Sequence, residues 1–175
     1  MSPLEFTLRR GTLADAECLS LFAREVFPLG GRPGASQADL DAYFESKITP
    51  EHFRSSIANE NNLVIVAESG NGIAGYGELL RSSPHPEIPE PNPSEVRKLY
   101  VGPRFHGLGI SDALMRALLA EAAHPVWLSV FSENPRAVRF YERWGFKIIG
   151  TQQFLVGTDS QQDFLMRRDA QKGTE

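Results

Sequence analysis

The alternation of apolar and polar positions divides the chain into short strands and amphipathic helices. Seven segments have the alternation or the β-branched content of strands: 6–10, 63–69, 73–80, 95–101, 125–131, 146–156 and 161–169. Five segments have apolar residues at helical spacing: 12–27, 37–48, 49–60, 110–123 and 134–144. The order β-ααα-β-β-β-α-β-α-β-β predicts an α/β (α+β) fold, a mixed and mostly antiparallel sheet of about seven strands flanked by helices.

Turn and capping signals support these boundaries. Gly70–Asn71–Gly72 separates two strand segments and predicts a hairpin. Asn134 followed by Pro135 is a typical helix start. The segment 28–36 is rich in glycine and proline and is expected to break the first helix. Five prolines in 81–94 exclude a central strand or a helix there, so we expect an exposed loop.

Length and composition fit one globular domain, which we place at 1–170 with a short tail at 171–175. The chain has 175 residues, 41% hydrophobic and 23% charged. Its one cysteine, Cys18, excludes a disulfide framework and a cysteine zinc site, and its apolar neighbours predict that it is a core residue. No apolar run reaches the ~18 residues of a membrane span, and the start of the chain does not resemble a signal peptide. We therefore expect a cytoplasmic protein without a membrane partner.

The charge pattern argues against a nucleic-acid partner. The formal net charge is −4, and no cluster of lysine and arginine stands out. This balance slightly favours a cationic ligand.

The stretch 104–111, RFHGLGIS, is either a plain turn or a phosphate cradle. Gly107 and Gly109 follow a strand and precede a helix, where free backbone amides and the helix dipole attract phosphate. A dinucleotide site is disfavoured, because the loop follows an antiparallel hairpin and Asp112 stands where a third glycine is needed. No Gly-Lys-Ser/Thr sequence is present, so a nucleotide P-loop is excluded.

At this loop the chain resembles the GCN5-related N-acetyltransferase (GNAT) family, over essentially residues 4–168. The family's acetyl-CoA motif, Gln/Arg-x-x-Gly-x-Gly/Ala, fits in two frames. Arg104 to Gly109 satisfies it literally, whereas His106 to Ser111 departs at both ends but has the family's spacing from the strand. We favour the second frame, in which His106 replaces the usual Arg or Gln. The sequence does not decide whether His106 is charged at neutral pH.

A second signature strengthens the resemblance. Residues 134–141, NPRAVRFY, fit the family pattern Asn-x-x-Ala-x-x-Phe/Leu-Tyr. The resemblance implies a sheet that splays between its fourth and fifth strands, acetyl-CoA as cosubstrate and no metal. The residues it assigns to acetyl-CoA are Leu99, Tyr100, Val101, His106, Gly107, Leu108, Gly109, Ile110, Ser111, Asn134, Ala137, Phe140 and Tyr141. It also allows a homodimer, although the sequence does not give the oligomeric state.

Acetyl transfer to an amine needs a base, an oxyanion donor and an acid for the departing sulfur. We nominate Tyr141 as the acid and a backbone N–H near Val101 as the donor. For the base we nominate Glu95, whose strand face we expect to include Leu99 and Val101. Glu78 is the second candidate and His85, in the proline-rich loop, is the third.

The acceptor predicted from the sequence is a small cationic amine or polyamine. Acidic residues near the expected entrance support it: Asp39, Asp41, Glu45, Glu87 and Glu90. The N-terminal half is also similar to the polyamine-acetylating branch of the family. Alternatives are acetylation of protein N-termini or lysines, and a non-catalytic acyl-CoA-binding sensor.

Overall fold

Seven strands form one continuous sheet in this computed structural model, which describes residues 5–31, 33–70 and 72–170. The spatial order is β1-β2-β3-β4-β5-β7-β6, and every pair is antiparallel except β4–β5. The strands are β1 (Thr7–Arg10), β2 (Asn62–Ser69), β3 (Gly72–Leu80), β4 (Ser94–Val101), β5 (Val126–Phe131), β6 (Lys147–Val156) and β7 (Asp159–Arg168). The predicted tail 171–175 and Asn71 of the predicted hairpin turn lie outside the described residues.

Five α-helices cover the two faces of the sheet. They are α1 (Ala16–Gly30), α2 (Gln37–Lys47), α3 (Pro50–Ala58), α4 (Ile110–Ala120) and α5 (Pro135–Arg143), with 3₁₀ turns at Leu13–Asp15 and Pro103–Phe105. One core joins α1, α2 and α3 to the face of Val66 and Tyr76. The other core joins α4 and α5 to the opposite face, which carries Ile65 and Val130. The predicted fold class and element order are confirmed.

Helix α1 departs from the sequence prediction in two ways. It runs through Pro28 to Gly30 rather than breaking there, because Phe27 stacks on Tyr43 with ring centroids 4.5 Å apart and holds the last turns in place. The prediction that Cys18 is a core residue is wrong, since its side chain is exposed. The buried apolar stripe of α1 consists of Ala16, Leu19, Ala23 and Val26. Position 18 therefore lies on the opposite side of the helix.

The proline-rich segment 81–94 is a loop, as predicted, but part of it is buried. Ile88 is 3% exposed and packs with Trp127 and Leu165. The indole N–H of Trp127 donates to the carbonyl of Ser83 at 2.8 Å. The loop therefore covers the ends of β5 and β7 instead of lying wholly in solvent.

A bulge in β4 overturns the predicted face of Glu95. Glu78 pairs with Lys98 but Leu79 pairs with Val96, so Arg97 is an extra residue that reverses the alternation. Val96 and Leu99 both contact the α4 core, which places Glu95 with Lys98 on the face of α1, α2 and α3. Glu95 thus does not share a face with Leu99.

The predicted separation between the fourth and fifth strands is present. Strands β4 and β5 pair only at Ser94↔Val126 and Glu95↔Trp127. Beyond these two pairs the strands part, and the end of β4 has no strand partner on that side. This gap connects the two faces of the sheet.

We predict that Gly75→Ala destabilises the protein while Gly150→Ala does not. A Cβ at Gly75 would lie 2.8 Å from the backbone oxygen of Tyr100, whereas a Cβ at Gly150 meets nothing within 4 Å. We expect a loss of about 1–3 kcal/mol at Gly75 and a change within about 0.5 kcal/mol at Gly150. Urea unfolding of both variants measures this, and equal midpoints would contradict it.

Candidate active site

A cavity of about 480 Å³ lies between the end of β4, the glycine loop and helices α4 and α5, and we call it the α4–α5 cavity. Of the thirteen residues assigned to acetyl-CoA by resemblance, twelve line it. The exception is Leu108, which is 43% exposed and does not line the cavity. Residues far apart in sequence are therefore brought together as the resemblance implies.

The glycine loop has the geometry of an anion cradle. Gly107 and Gly109 have φ values of 80° and 82°, a conformation that L side chains rarely adopt. Gly109 is the N-cap of α4, and its carbonyl accepts from the amide of Ala113 at 3.0 Å. The amides of the first α4 residues, from Ile110 onward, have no partner within the helix and lie at the cavity wall.

The positive charge beside this loop comes from an arginine that the sequence analysis missed. The Nε2 of His106 lies 3.0 Å from the Val101 carbonyl, and its Nδ1 lies 3.0 Å from Nη1 of Arg136. Since a carbonyl only accepts and a guanidinium only donates, these contacts match a His106 ring that donates from Nε2 and accepts at Nδ1. Arg136 and Arg143 both line the cavity. Arg136, Phe140 and Arg143 are spaced i, i+4 and i+7 on one face of α5, and this spacing is the sequence signal that could have indicated the two arginines.

Backbone groups of β4 face the gap between the strands. The amide of Gly102 donates to Ala74 on β3 at 2.9 Å. Because hydrogen bonding alternates along an antiparallel pair, the amides of Leu99 and Val101 point away from β3. The Val101 carbonyl is occupied by His106, while its N–H is directed into the gap.

Asn134 fixes the start of α5 against the end of α1. Its Oδ1 accepts from the amide of Ala137 at 3.1 Å, which confirms the predicted cap. Its Nδ2 donates to the carbonyl of Gly30 at 3.3 Å. This side chain therefore joins the helices of opposite faces at the gap.

A second cavity, of about 470 Å³, lies on the face of α1, α2 and α3, and we call it the sheet-face cavity. It reaches the α4–α5 cavity through the gap between β4 and β5. The residues that line both are Gly30, Leu99, Tyr100, Asn134, Ala137 and Tyr141. Two molecules bound from opposite faces of the sheet would meet at this junction.

Tyr141 is one of two titratable side chains at the junction, the other being Tyr100. The ring of Tyr141 packs against Phe140 and Phe146 at centroid distances of 5.4 and 6.0 Å. Burial raises the pKa of Tyr141 to about 12. The phenol therefore stays protonated and able to donate at neutral pH.

Of the three candidate bases, Glu95 is the one that lines the sheet-face cavity. Its carboxylate accepts from Ser83 Oγ at 2.7 Å and pairs with Arg97 at 3.0 Å. Glu78 lies outside both cavities, where Ser56, Asn62 and Lys98 surround its buried carboxylate.

The third candidate base, His85, also lies outside both cavities. Its Nε2 is 3.1 Å from Oε1 of Gln152, and its ring packs on Trp127 at 4.7 Å. Gln152 and Trp127 are themselves wall residues of the sheet-face cavity, so His85 stands behind the wall.

The predicted acidic entrance is wrong, because none of its five carboxylates lines either cavity. Asp39 accepts from the amide and hydroxyl of Thr158 at 2.6 and 2.8 Å. Glu90 pairs with Arg167. These two carboxylates are used in contacts between loops and strands. Besides Glu95, the carboxylate that lines the sheet-face cavity is Asp163.

Residues 5–31, 33–70 and 72–170 contain neither a metal-binding cluster nor a membrane-spanning helix. No group of three or more His, Cys, Asp or Glu side chains is arranged to hold a metal ion. No helix in these ranges has the length and apolar character needed to cross a bilayer.

Comparison with known proteins agrees with the geometry. The family model of the acetyltransferase (GNAT) domain matches residues 32–161. An uncharacterized N-acetyltransferase of Mycobacterium tuberculosis is 32% identical over 161 residues, which is 90% of this chain and 99% of that protein. The N-alpha-acetyltransferase RimI of the same organism is 30% identical over 122 residues, 69% of this chain and 75% of the relative. The chain therefore belongs to the GNAT family of acetyl-CoA-dependent N-acetyltransferases.

A solved structure shows the same fold over nearly the whole chain. The PaiA N-acetyltransferase from Thermoplasma acidophilum, in complex with coenzyme A, superposes with a TM-score of 0.77. The match covers 95% of this chain and 100% of that one, at 21% sequence identity.

We predict that Arg136→Gln weakens coenzyme A binding and that Arg139→Gln does not. Both changes remove one positive charge from α5, but Arg136 lines the α4–α5 cavity and Arg139 does not. Loss of one charged contact to phosphate should lower the affinity by about tenfold. Calorimetric titration with coenzyme A at two salt concentrations measures it. Equal affinities of the two variants would rule out this role for Arg136.

Proposed function

We propose that this enzyme transfers the acetyl group directly from acetyl-CoA to a primary amine, without an acyl-enzyme intermediate. The observation that carries the proposal is the meeting of the two cavities at Tyr141. The coenzyme enters from the α4–α5 side with its diphosphate at the Gly107–Ser111 amides. The amine enters from the sheet-face cavity and attacks the thioester carbon in the gap.

In this reaction the nitrogen–carbon bond forms as the carbon–sulfur bond breaks. The Val101 N–H, directed into the gap, stabilises the developing oxyanion. Tyr141 donates its hydroxyl proton toward the departing sulfur, a role that its protonated state supports. The proton lost by the attacking nitrogen passes to a carboxylate on the acceptor side.

We assign Glu95 as that carboxylate, acting through water. The β4 bulge turns it toward the sheet-face cavity, where the amine binds. Glu95 precedes Leu99 by four positions, a separation on the order of 10 Å at the rise of a strand, so direct contact with the reacting nitrogen is excluded. A bridging water molecule would carry the proton from the reacting nitrogen to Glu95.

We propose a small cationic amine as the acceptor. Aromatic rings dominate the walls of the sheet-face cavity, and rings attract ammonium groups. Those that line it are Phe27, Tyr43, Tyr76, Tyr100, Trp127, Phe131, Tyr141 and Phe154.

A protein N-terminus is the second candidate acceptor, favoured by the 30% identity to an N-alpha-acetyltransferase. A panel of spermidine, aminoglycosides, amino acids and N-terminal peptides, assayed for thiol release from acetyl-CoA, separates the two. Thiol release with peptides alone would overturn the small-amine assignment.

We predict that Tyr141→Phe lowers kcat by about a hundredfold while coenzyme A affinity is retained. The substitution removes the proton donor but keeps the ring contacts with Phe140 and Phe146. Thiol release gives kcat and calorimetry gives the affinity. A non-catalytic acyl-CoA sensor would show no acceptor-dependent turnover in either protein, which distinguishes that alternative.

The pH dependence of kcat supplies a separate prediction. Because the pKa of Tyr141 is raised to about 12, its proton is present throughout pH 7–10. The wild-type kcat at saturating amine should therefore not fall in that interval through loss of the acid. A descending limb near pH 9 that disappears in Tyr141→Phe would contradict the assignment.

We predict that Glu95→Gln lowers kcat by about tenfold or more, whereas Glu78→Gln changes stability rather than kcat. Glu95 lines the cavity, while Glu78 is buried among hydrogen-bond partners outside it. Kinetics and thermal melting of both variants test the distinction. The opposite pattern would move the base to Glu78.

A further inference from the structure

Asp163 is a buried carboxylate in the wall of the sheet-face cavity that the reaction outlined above does not use. The residue is only 4% exposed. Its Oδ2 accepts from Ser129 Oγ at 2.6 Å, and its Oδ1 accepts from Gln161 Nε2 at 3.0 Å. Each oxygen therefore has one hydrogen bond and keeps capacity for another.

The negative charge of Asp163 has no cationic partner within the described part of the chain. Three cationic side chains line the same cavity, Lys47, Arg97 and Lys98. Arg97 is paired with Glu95 and Lys98 with Glu78. No lysine or arginine among the described residues lies within 4.0 Å of Asp163. Burial raises the pKa of its carboxyl group, as expected for a charge that lacks compensation.

Aromatic rings surround the same part of the cavity. Tyr43 lines this cavity together with Asp163. Burial raises the pKa of Tyr43 to about 12, the charge of Arg97 opposes that rise, and the charge of Asp163 adds to it. The rings of Phe27, Tyr43 and Phe154 follow one another at 4.5 and 6.0 Å. A single uncompensated carboxylate beside aromatic faces is the environment that binds an ammonium group.

Asp163 lies near the junction but on a different strand from the thioester gap. It pairs with Phe131, the last residue of β5, and Phe131 lines the sheet-face cavity. Tyr100 and Tyr141 line both cavities, and Asp163 lines the sheet-face cavity with them. An acceptor with its reacting end at Tyr141 would extend past Tyr100 toward Asp163.

The nitrogen that Asp163 binds is not the one that reacts. A carboxylate beside an amine favours the protonated form of that amine, and a protonated amine cannot attack the thioester. An ammonium group held by Asp163 is therefore suited to recognition, while the neutral nitrogen elsewhere on the same molecule reacts.

We propose that Asp163 is an acceptor-recognition residue, which binds a second, protonated nitrogen of a diamine or polyamine and thereby sets the specificity of the enzyme. This inference rests on the proposed acetyl transfer to small amines. It replaces the acidic entrance predicted from the sequence with one buried carboxylate.

The test compares 1,5-diaminopentane with pentylamine, which share a carbon chain and differ in one amino group. Wild-type protein should prefer the diamine in kcat/KM by about tenfold or more, as expected for one buried charge pair. Asp163→Asn, which removes the charge and keeps the size, should abolish this preference mainly through KM. Asp41→Asn, an exposed carboxylate outside both cavities, is the matched control and should keep the preference.

Calorimetry of diamine binding to the coenzyme A complex supplies a readout that does not depend on turnover. Because it is made on the wild-type protein, it also does not depend on the folding of a variant. Tighter binding of the diamine than of pentylamine supports the inference, and equal binding overturns it. Thiol release without diamine preference would overturn the Asp163 assignment and leave the acetyl transfer standing. Diamine binding that depends on Asp163 but gives no thiol release would overturn the proposed reaction instead.

Discussion

Strands β4 and β5 pair at only two positions, and the gap beyond those pairs organises the whole active site. The gap exposes the backbone of Leu99 and Val101, whose amides and carbonyls would otherwise be hydrogen-bonded to a neighbouring strand. It also opens a passage between two cavities on opposite faces of the sheet. Tyr141 lies at that passage and lines both cavities. A fully paired sheet would separate the coenzyme from any acceptor.

Much of the coenzyme side could be predicted from sequence because its determinants are local. Positive φ at Gly107 and Gly109, and the cap at Asn134, are properties of a few consecutive residues. Arg136 was missed because its partner in the structure, His106, lies thirty positions earlier in the sequence. Contacts between distant segments leave no such local pattern.

The acceptor side was predicted less well, for a similar physical reason. One extra residue at Arg97 reverses the alternation of β4, and no periodicity within that strand announces it. The acidic residues near the expected entrance are used in tertiary contacts such as Asp39 with Thr158. Asp163 was overlooked because a single carboxylate in a strand is usually solvent-facing, whereas the tertiary structure buries this one.

The two cavities are built largely from different parts of the chain. Helices α4 and α5 and the glycine loop form the coenzyme side, whereas α1, α2, β6 and β7 supply much of the acceptor side. Substitutions in the latter elements are therefore expected to leave the glycine loop undisturbed. This modular construction lets descendants of one ancestor exchange their nitrogen nucleophile over evolutionary time while inheriting an unchanged acetyl donor.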